Sequence, residues 1–284
     1  MILAYLGVTS SLPYSRLLRS PCPDSAVGEN ECETMYLCRV SERCDTFSEA
    51  GQHVLDSGRK YYNIFHLILF LAAHCVYNET SFELDKATFT VVAGKYNVSW
   101  ENRDPDEQRF KVVHIKYPST YAGYKNRYAN DIALLELNTT ILFNSAIMSV
   151  CIDWKVKYPL EQLPPVGTVV GWGLTEKNIT SNDLQMANLK FIEFETCSTT
   201  VSLGYSLFIS SDKFCAGLEN GTAVQCGDSG GGITFPRKMT NNKVQYYMYG
   251  IVSVKDIHGS IAAFTDVRKH LHWLKMSLKS IIES

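Results

Sequence analysis

Residues 224–233, VQCGDSGGGI, set Ser229 between Asp228 and three glycines. Glycine-rich backbone beside a serine hydroxyl offers N–H groups in a tight turn, which an acyl-transfer nucleophile needs if an oxyanion is to be held next to it. Gly, Asp and Ser are also the commonest turn residues, so a plain surface turn has the same spelling. A serine hydroxyl is a weak nucleophile at neutral pH. It needs an imidazole within hydrogen-bond reach to take its proton, and a carboxylate to hold that imidazole in one tautomer. Of the seven histidines, His74 is the candidate, since it sits in LAAHC (71–75), where alanines close an apolar strand and Cys75 can pin the backbone. Asp131 lies in NDIALLEL (130–137), a charge at the mouth of an apolar strand, where any hydrogen bond to an imidazole is strengthened. An ordinary strand-start cap would read alike. The joint order His, Asp, Ser with these flanks favours a catalytic triad.

Such a triad needs a rigid scaffold, and the chain spells one. Short runs rich in β-branched and aromatic residues, TFTVVAG (88–94), FKVVHI (110–115), VGTVVGW (166–172) and YYMYGIVSV (246–254), alternate with turn signals. This is an all-β pattern of sandwich or barrel type. At the end, Val267, Leu271, Leu274, Leu278, Ile281 and Ile282 recur at three- and four-residue steps after Asp266, which predicts an amphipathic helix packed on the barrel. The apolar run 64–73 is too short to span a bilayer and reads as a buried strand leading to His74.

The chain has 284 residues, is 45% hydrophobic and carries a formal net charge of -2 without a long basic run. A sizeable core is expected, and neither nucleic acid nor a membrane is favoured as partner. The nine cysteines include Cys22, Cys32, Cys38 and Cys44, which lack zinc-module spacings, so disulfides are the better reading. Asn-X-Ser/Thr sequons begin at Asn78, Asn97, Asn138, Asn178 and Asn220. Both features lean toward a secreted, extracellular protein. Residues 1–20 form a candidate leader, 21–57 a small Cys-rich module or linker, and 58–284 the main domain.

LAAHC, NDIALLEL, GWG (171–173), FCAG (214–217), GDSGG (227–231) and GIVSV (250–254), in this order, resemble the chymotrypsin-like serine proteases over residues 72–284. VCIDW (150–154) and the glycines after Ser229 are similar to arthropod clip-domain and modular proteases of clotting and immune cascades, and the spacing of Cys22, Cys32 and Cys38 is similar to the start of a clip domain. The resemblance implies two packed six-stranded β-barrels with a cleft between them and a C-terminal α-helix. It implies His74 as general base, Asp131 as its orienter, Ser229 as nucleophile, and the amides of Gly227 and Ser229 as the oxyanion hole. Ser253 would stand beside the triad, and Cys197 and Cys215 would form a loop disulfide, while Cys151 matches the cysteine that tethers the catalytic unit. No cofactor or metal is implied. Protein substrates, partner proteases and inhibitors of the serpin class are. The pocket floor falls on Ala223, with Ala262 on its wall and Lys255 at its entrance, so cleavage after a medium-sized apolar residue is expected rather than after Arg or Lys.

The sequence departs from the family at three points. No Ile-Val-Gly-Gly precedes His74, so Asp228 is expected to lack the internal ammonium that usually organises the oxyanion loop. The stretch 51–73 is short for the usual strands, which predicts a first barrel with missing wall and an unpaired edge, and leaves Cys75 without its usual upstream partner. Cys226 stands where the family has another residue, next to the oxyanion hole. A secreted serine endopeptidase, a catalytically silent homologue acting by binding, and a truncated gene product of an active protease all fit these facts.

Overall fold

The computed structural model describes residues 5–10, 35–37, 68–77, 89–99, 101–157, 159, 162, 164–175, 179, 181–217, 224, 227–238, 244–256 and 260–283. Their strands form two closed barrels, joined edge to edge by antiparallel pairs. The first holds β1 (Tyr5–Ser10), β2 (Met35–Leu37), β3 (Ile68–Leu71), β4 (Phe89–Ala93), β5 (Gln108–Lys116) and β6 (Ala133–Leu137), in the order β1-β2-β3-β6-β5-β4. The second holds β7 (Val166–Gly171), β8 (Gln185–Ile192), β9 (Lys213–Gly217), β10 (Gly232–Lys238), β11 (Val244–Lys255) and β12 (Ile261–Asp266), in the order β10-β11-β12-β9-β8-β7.

The first barrel is complete, which corrects the expectation of missing wall. β1 pairs with β4 from Leu6↔Ala93 to Ser10↔Phe89, and β2 bridges β1 and β3 through Tyr36↔Phe70 and Leu37↔Leu69. The closing strands lie in the stretches 1–20 and 21–57 that composition sets apart. A strand of three residues needs no long apolar run to satisfy the edges of its neighbours, so composition does not betray it.

β3 explains the uninterrupted apolar spelling ILFL. Leu69 and Leu71 enter the first barrel's core with Val91, Phe110 and Leu135, while Ile68 and Phe70 join a second cluster with Trp172, Met248 and the terminal helix. Both faces of the strand are buried, so neither can be polar. That helix, α3 (Leu271–Glu283), follows a 3-10 turn, Val267–His270, capped by the Asp266 carboxylate accepting from the Arg268 N–H at 2.9 Å. It buries Leu271, Leu274, Leu278 and Ile281, as the periodicity predicts. Trp172 crosses between barrels, its indole N–H donating to the Tyr96 carbonyl at 2.9 Å.

Candidate active site

His74 sits in a single 3-10 turn, Ala73–Cys75, where β3 ends. The turn is held from below, because the His74 backbone N–H donates to Asp131 Oδ1 at 2.9 Å. The ring Nδ1 lies 2.8 Å from Asp131 Oδ2, with the His74 side chain 16% exposed and Asp131 fully enclosed. The same Oδ2 accepts the Ser253 hydroxyl at 2.5 Å. One carboxylate therefore takes a donor from the first barrel and a donor from β11 of the second. Burial resists its ionisation most strongly, but His74, the Lys213 ammonium and the Ser253 hydroxyl outweigh that and hold Asp131 below the usual carboxylate range.

Ser229 lies in the turn just before β10. The turn uses left-handed glycines, Gly227 at φ +98 and Gly230 at φ +80, a conformation open to glycine at little cost. Gly230 packs so closely on the histidine segment that a Cβ there would stand 3.1 Å from Cys75 Sγ and 3.4 Å from the Ala72 nitrogen. On the other side, the Gly230 N–H donates to the Val252 carbonyl at 3.0 Å, one residue before Ser253. The Ser229 turn is thus wedged between the backbone that carries His74 and the strand that carries Ser253. His74, Asp131, Ser253 and the Ser229 turn lie together.

The segment before Ser229 fits the GWG motif in the same steric way. The Gly173 N–H donates to Asp228 Oδ1 at 3.0 Å, and a Cβ on Gly173 would stand 2.6 Å from that carboxylate. A Cβ on Gly227 would meet Gly173 Cα at 3.0 Å. Asp228 is therefore not isolated, because it accepts from Gly173 and also attracts the Lys255 ammonium. Lys255 is half-buried on β11, paired in register with the buried Ala262. Its burial lowers its basicity, against the pull of Asp228 and Asp256. Ala223 and Cys226 fall outside the described residues.

Cys197 and Cys215 form a disulfide, with Cα atoms 6.0 Å apart, between α1 (Phe194–Thr200) and β9. Cys75 and Cys151 are also disulfide-bonded. The expectation that Cys75 loses its partner is thereby corrected, although the partner is outside the described residues.

Two features escaped the motif reading. An aromatic group borders His74: Tyr128 meets the imidazole edge-on at 6.0 Å, and Phe208 lies 6.0 Å from Tyr128 and 5.8 Å from Tyr124. Beneath Asp131 lies a buried charge pair, Asp212 and Lys213. The tyrosine density of 117–128 was a signal for the first; nothing local marks the second.

The chain is similar to known proteins over most of its length. A family model described as Trypsin matches residues 68–274. The chain belongs to the trypsin family. It is 30% identical over 207 residues to coagulation factor IX of Cavia porcellus, covering 71% of this chain and 66% of that protein. It is 31% identical over 211 residues to the proclotting enzyme of Tachypleus tridentatus, covering 72% of this chain and 54% of that protein. It is 30% identical over 221 residues to clotting factor C of the same species, covering 72% of this chain and 21% of that protein. The chain thus spans less than two thirds of the length of each. What the match covers is a trypsin-family serine protease domain.

Proposed function

We propose that the chain is a serine endopeptidase working by acyl transfer through Ser229. The observation that carries the reading is the His74–Asp131 contact at 2.8 Å, with Ser253 on the same oxygen and the Ser229 turn packed against the His74 segment. His74 Nε2 takes the Ser229 proton as Oγ attacks the scissile carbonyl, and Asp131 holds the Nδ1–H and steadies the imidazolium. The oxyanion is received by the amides of Gly227 and Ser229, each worth about 3 kcal/mol of transition-state stabilisation. The imidazolium returns its proton to the leaving amine, and water then releases the acyl group by the same sequence in reverse.

The family resemblance assigns Ala223 to the pocket floor, and with the buried Ala262 that favours a medium-sized apolar residue before the scissile bond, with Lys255 narrowing the entrance. The names of the relatives, the disulfides and the sequons support a secreted enzyme of an extracellular clotting-type or immune cascade, acting on protein substrates and answering to serpin-class inhibitors. Hydrolysis of peptide substrates bearing Ala, Val or Leu before the scissile bond, by the secreted and processed protein, tests the reading. Turnover that disappears in Ser229→Ala is expected. A folded, processed protein without turnover would instead make this a silent homologue that acts by binding.

A further inference from the structure

The turn that delivers Asp131 is strained. Arg127, Tyr128 and Asn130 all adopt left-handed backbone, at φ 53, 55 and 61. Such conformations cost non-glycine residues on the order of 1 kcal/mol each and persist where neighbours over-determine them. Here the neighbours belong to the other barrel. Lys213 Nζ donates to the Tyr128 carbonyl at 2.6 Å, and Asp212 Oδ2 accepts the Asn130 N–H at 2.8 Å. Two consecutive residues of the second barrel therefore grip two of the three left-handed residues, just before the catalytic carboxylate.

The gripping residues are themselves braced. Asp212 Oδ1 takes the Ser210 hydroxyl at 2.5 Å, its carboxylate lies 3.4 Å from His270 Nε2, and its carbonyl accepts the Asp266 N–H at 2.8 Å. Lys213 has no side-chain exposure and stands 3.8 Å from Asp212. A lysine in that position is expensive, since a buried ammonium loses several kcal/mol of hydration. An apolar residue would fill the space without that cost.

Resting on the protease reading above, we propose that Asp212 and Lys213 form an inter-barrel clamp that positions Asp131 and, through the Lys213 charge, sets the basicity of His74. The groups facing Asp131 are His74, Ser253 and Lys213; those facing Lys213 are Asp131, Asp212 and the Tyr128 carbonyl. A cation behind Asp131 disfavours a second positive charge on the imidazole. The clamp therefore keeps His74 neutral, and so able to accept a proton, to lower pH. Both Asp212 and Asp131 are held ionised below the ordinary carboxylate range, burial opposing and these contacts prevailing, so the network stays charged around neutrality.

The test is an NMR titration of His74 in the full chain, comparing the unaltered protein with Lys213→Met. His270, which also borders the network, is followed by its own resonance. The His74 midpoint is expected to rise by about one pH unit in the variant, and kcat, where turnover is measurable, to fall about tenfold below that midpoint with KM within twofold. If Lys213→Met strands Asp212 and fails to fold, Asp212→Asn/Lys213→Met removes both charges and should show a smaller rise, because the lost Asp212 carboxylate, 3.8 Å from the ammonium, offsets part of the lost cation. A folded variant whose His74 titrates as before would overturn the clamp, even with turnover intact. A midpoint that moves in a protein without turnover would uphold the clamp and remove the protease reading.

Discussion

Lys95 and Lys213 are both buried lysines, with side chains 4% and 0% exposed, yet their surroundings differ in kind. Lys95 closes its own loop between β4 and β5. It reaches Glu107 at 3.0 Å and the Asn102 carbonyl at 2.6 Å, and Glu107 in turn pairs with Arg109. Lys213 reaches across the barrel interface to the Tyr128 carbonyl and sits between the charges of Asp212 and Asp131. A buried ammonium is tolerated only where carboxylates and carbonyls replace its water, and both sites meet that condition. What differs is who benefits: the loop between β4 and β5 in one case, the turn carrying Asp131 in the other.

The sharpest separation of the two regions is chemical. Asp131→Asn should leave the fold in place and lower kcat by about 10⁴, because the imidazole loses the partner that fixes its tautomer; steady-state kinetics beside a circular-dichroism spectrum checks this. Lys95→Met should do the reverse, leaving kcat within twofold while costing about 2 kcal/mol of stability, since the buried Glu107 loses one of its two cationic partners and keeps only Arg109. Denaturant unfolding measures that loss. Equal loss of kcat in Lys95→Met would erase the distinction between the two lysines.

Acid should weaken the Lys213 region through its two carboxylates. Asp131 and Asp212 are depressed in the folded state, so the stability they contribute is present above their unfolded values, about pH 4, and is lost as pH falls toward the folded ones. Asp212→Asn should therefore flatten the decline of stability below about pH 4, measured by denaturant midpoints across that range. The smallest expected effect tests the strain itself. Arg127 is exposed with φ 53, and Arg127→Gly should stabilise the chain by about 1 kcal/mol, read from its unfolding midpoint.

Much of this was legible in the amino-acid order. LAAHC, NDIALLEL and GDSGG pointed to the proposed triad because each couples a reactive side chain to the backbone that aims it, and runs of β-branched and aromatic residues pointed to β4, β5, β7 and β11. The terminal helix followed from its periodicity. What stayed hidden depends on contacts distant in sequence. β1 and β2 complete the first barrel by hydrogen bonding to β3 and β4, which composition does not record. Nothing in SDKFCAG marks Lys213 as a buried charge. It is buried because all five residues of β9 are enclosed and because the Asp131 turn covers it from the other barrel. Cys75 likewise looks unpartnered only until its disulfide is seen.

The most direct measurement is covalent capture of the nucleophile. A fluorophosphonate reacts with a serine only when a neighbouring imidazole takes the hydroxyl proton, so the site of its adduct reports the working triad. Incubated with the folded, processed protein and mapped by peptide mass spectrometry, it should modify Ser229 and leave His74→Ala unlabelled. An unmodified Ser229 in that sample, or labelling that ignores the loss of His74, would contradict it.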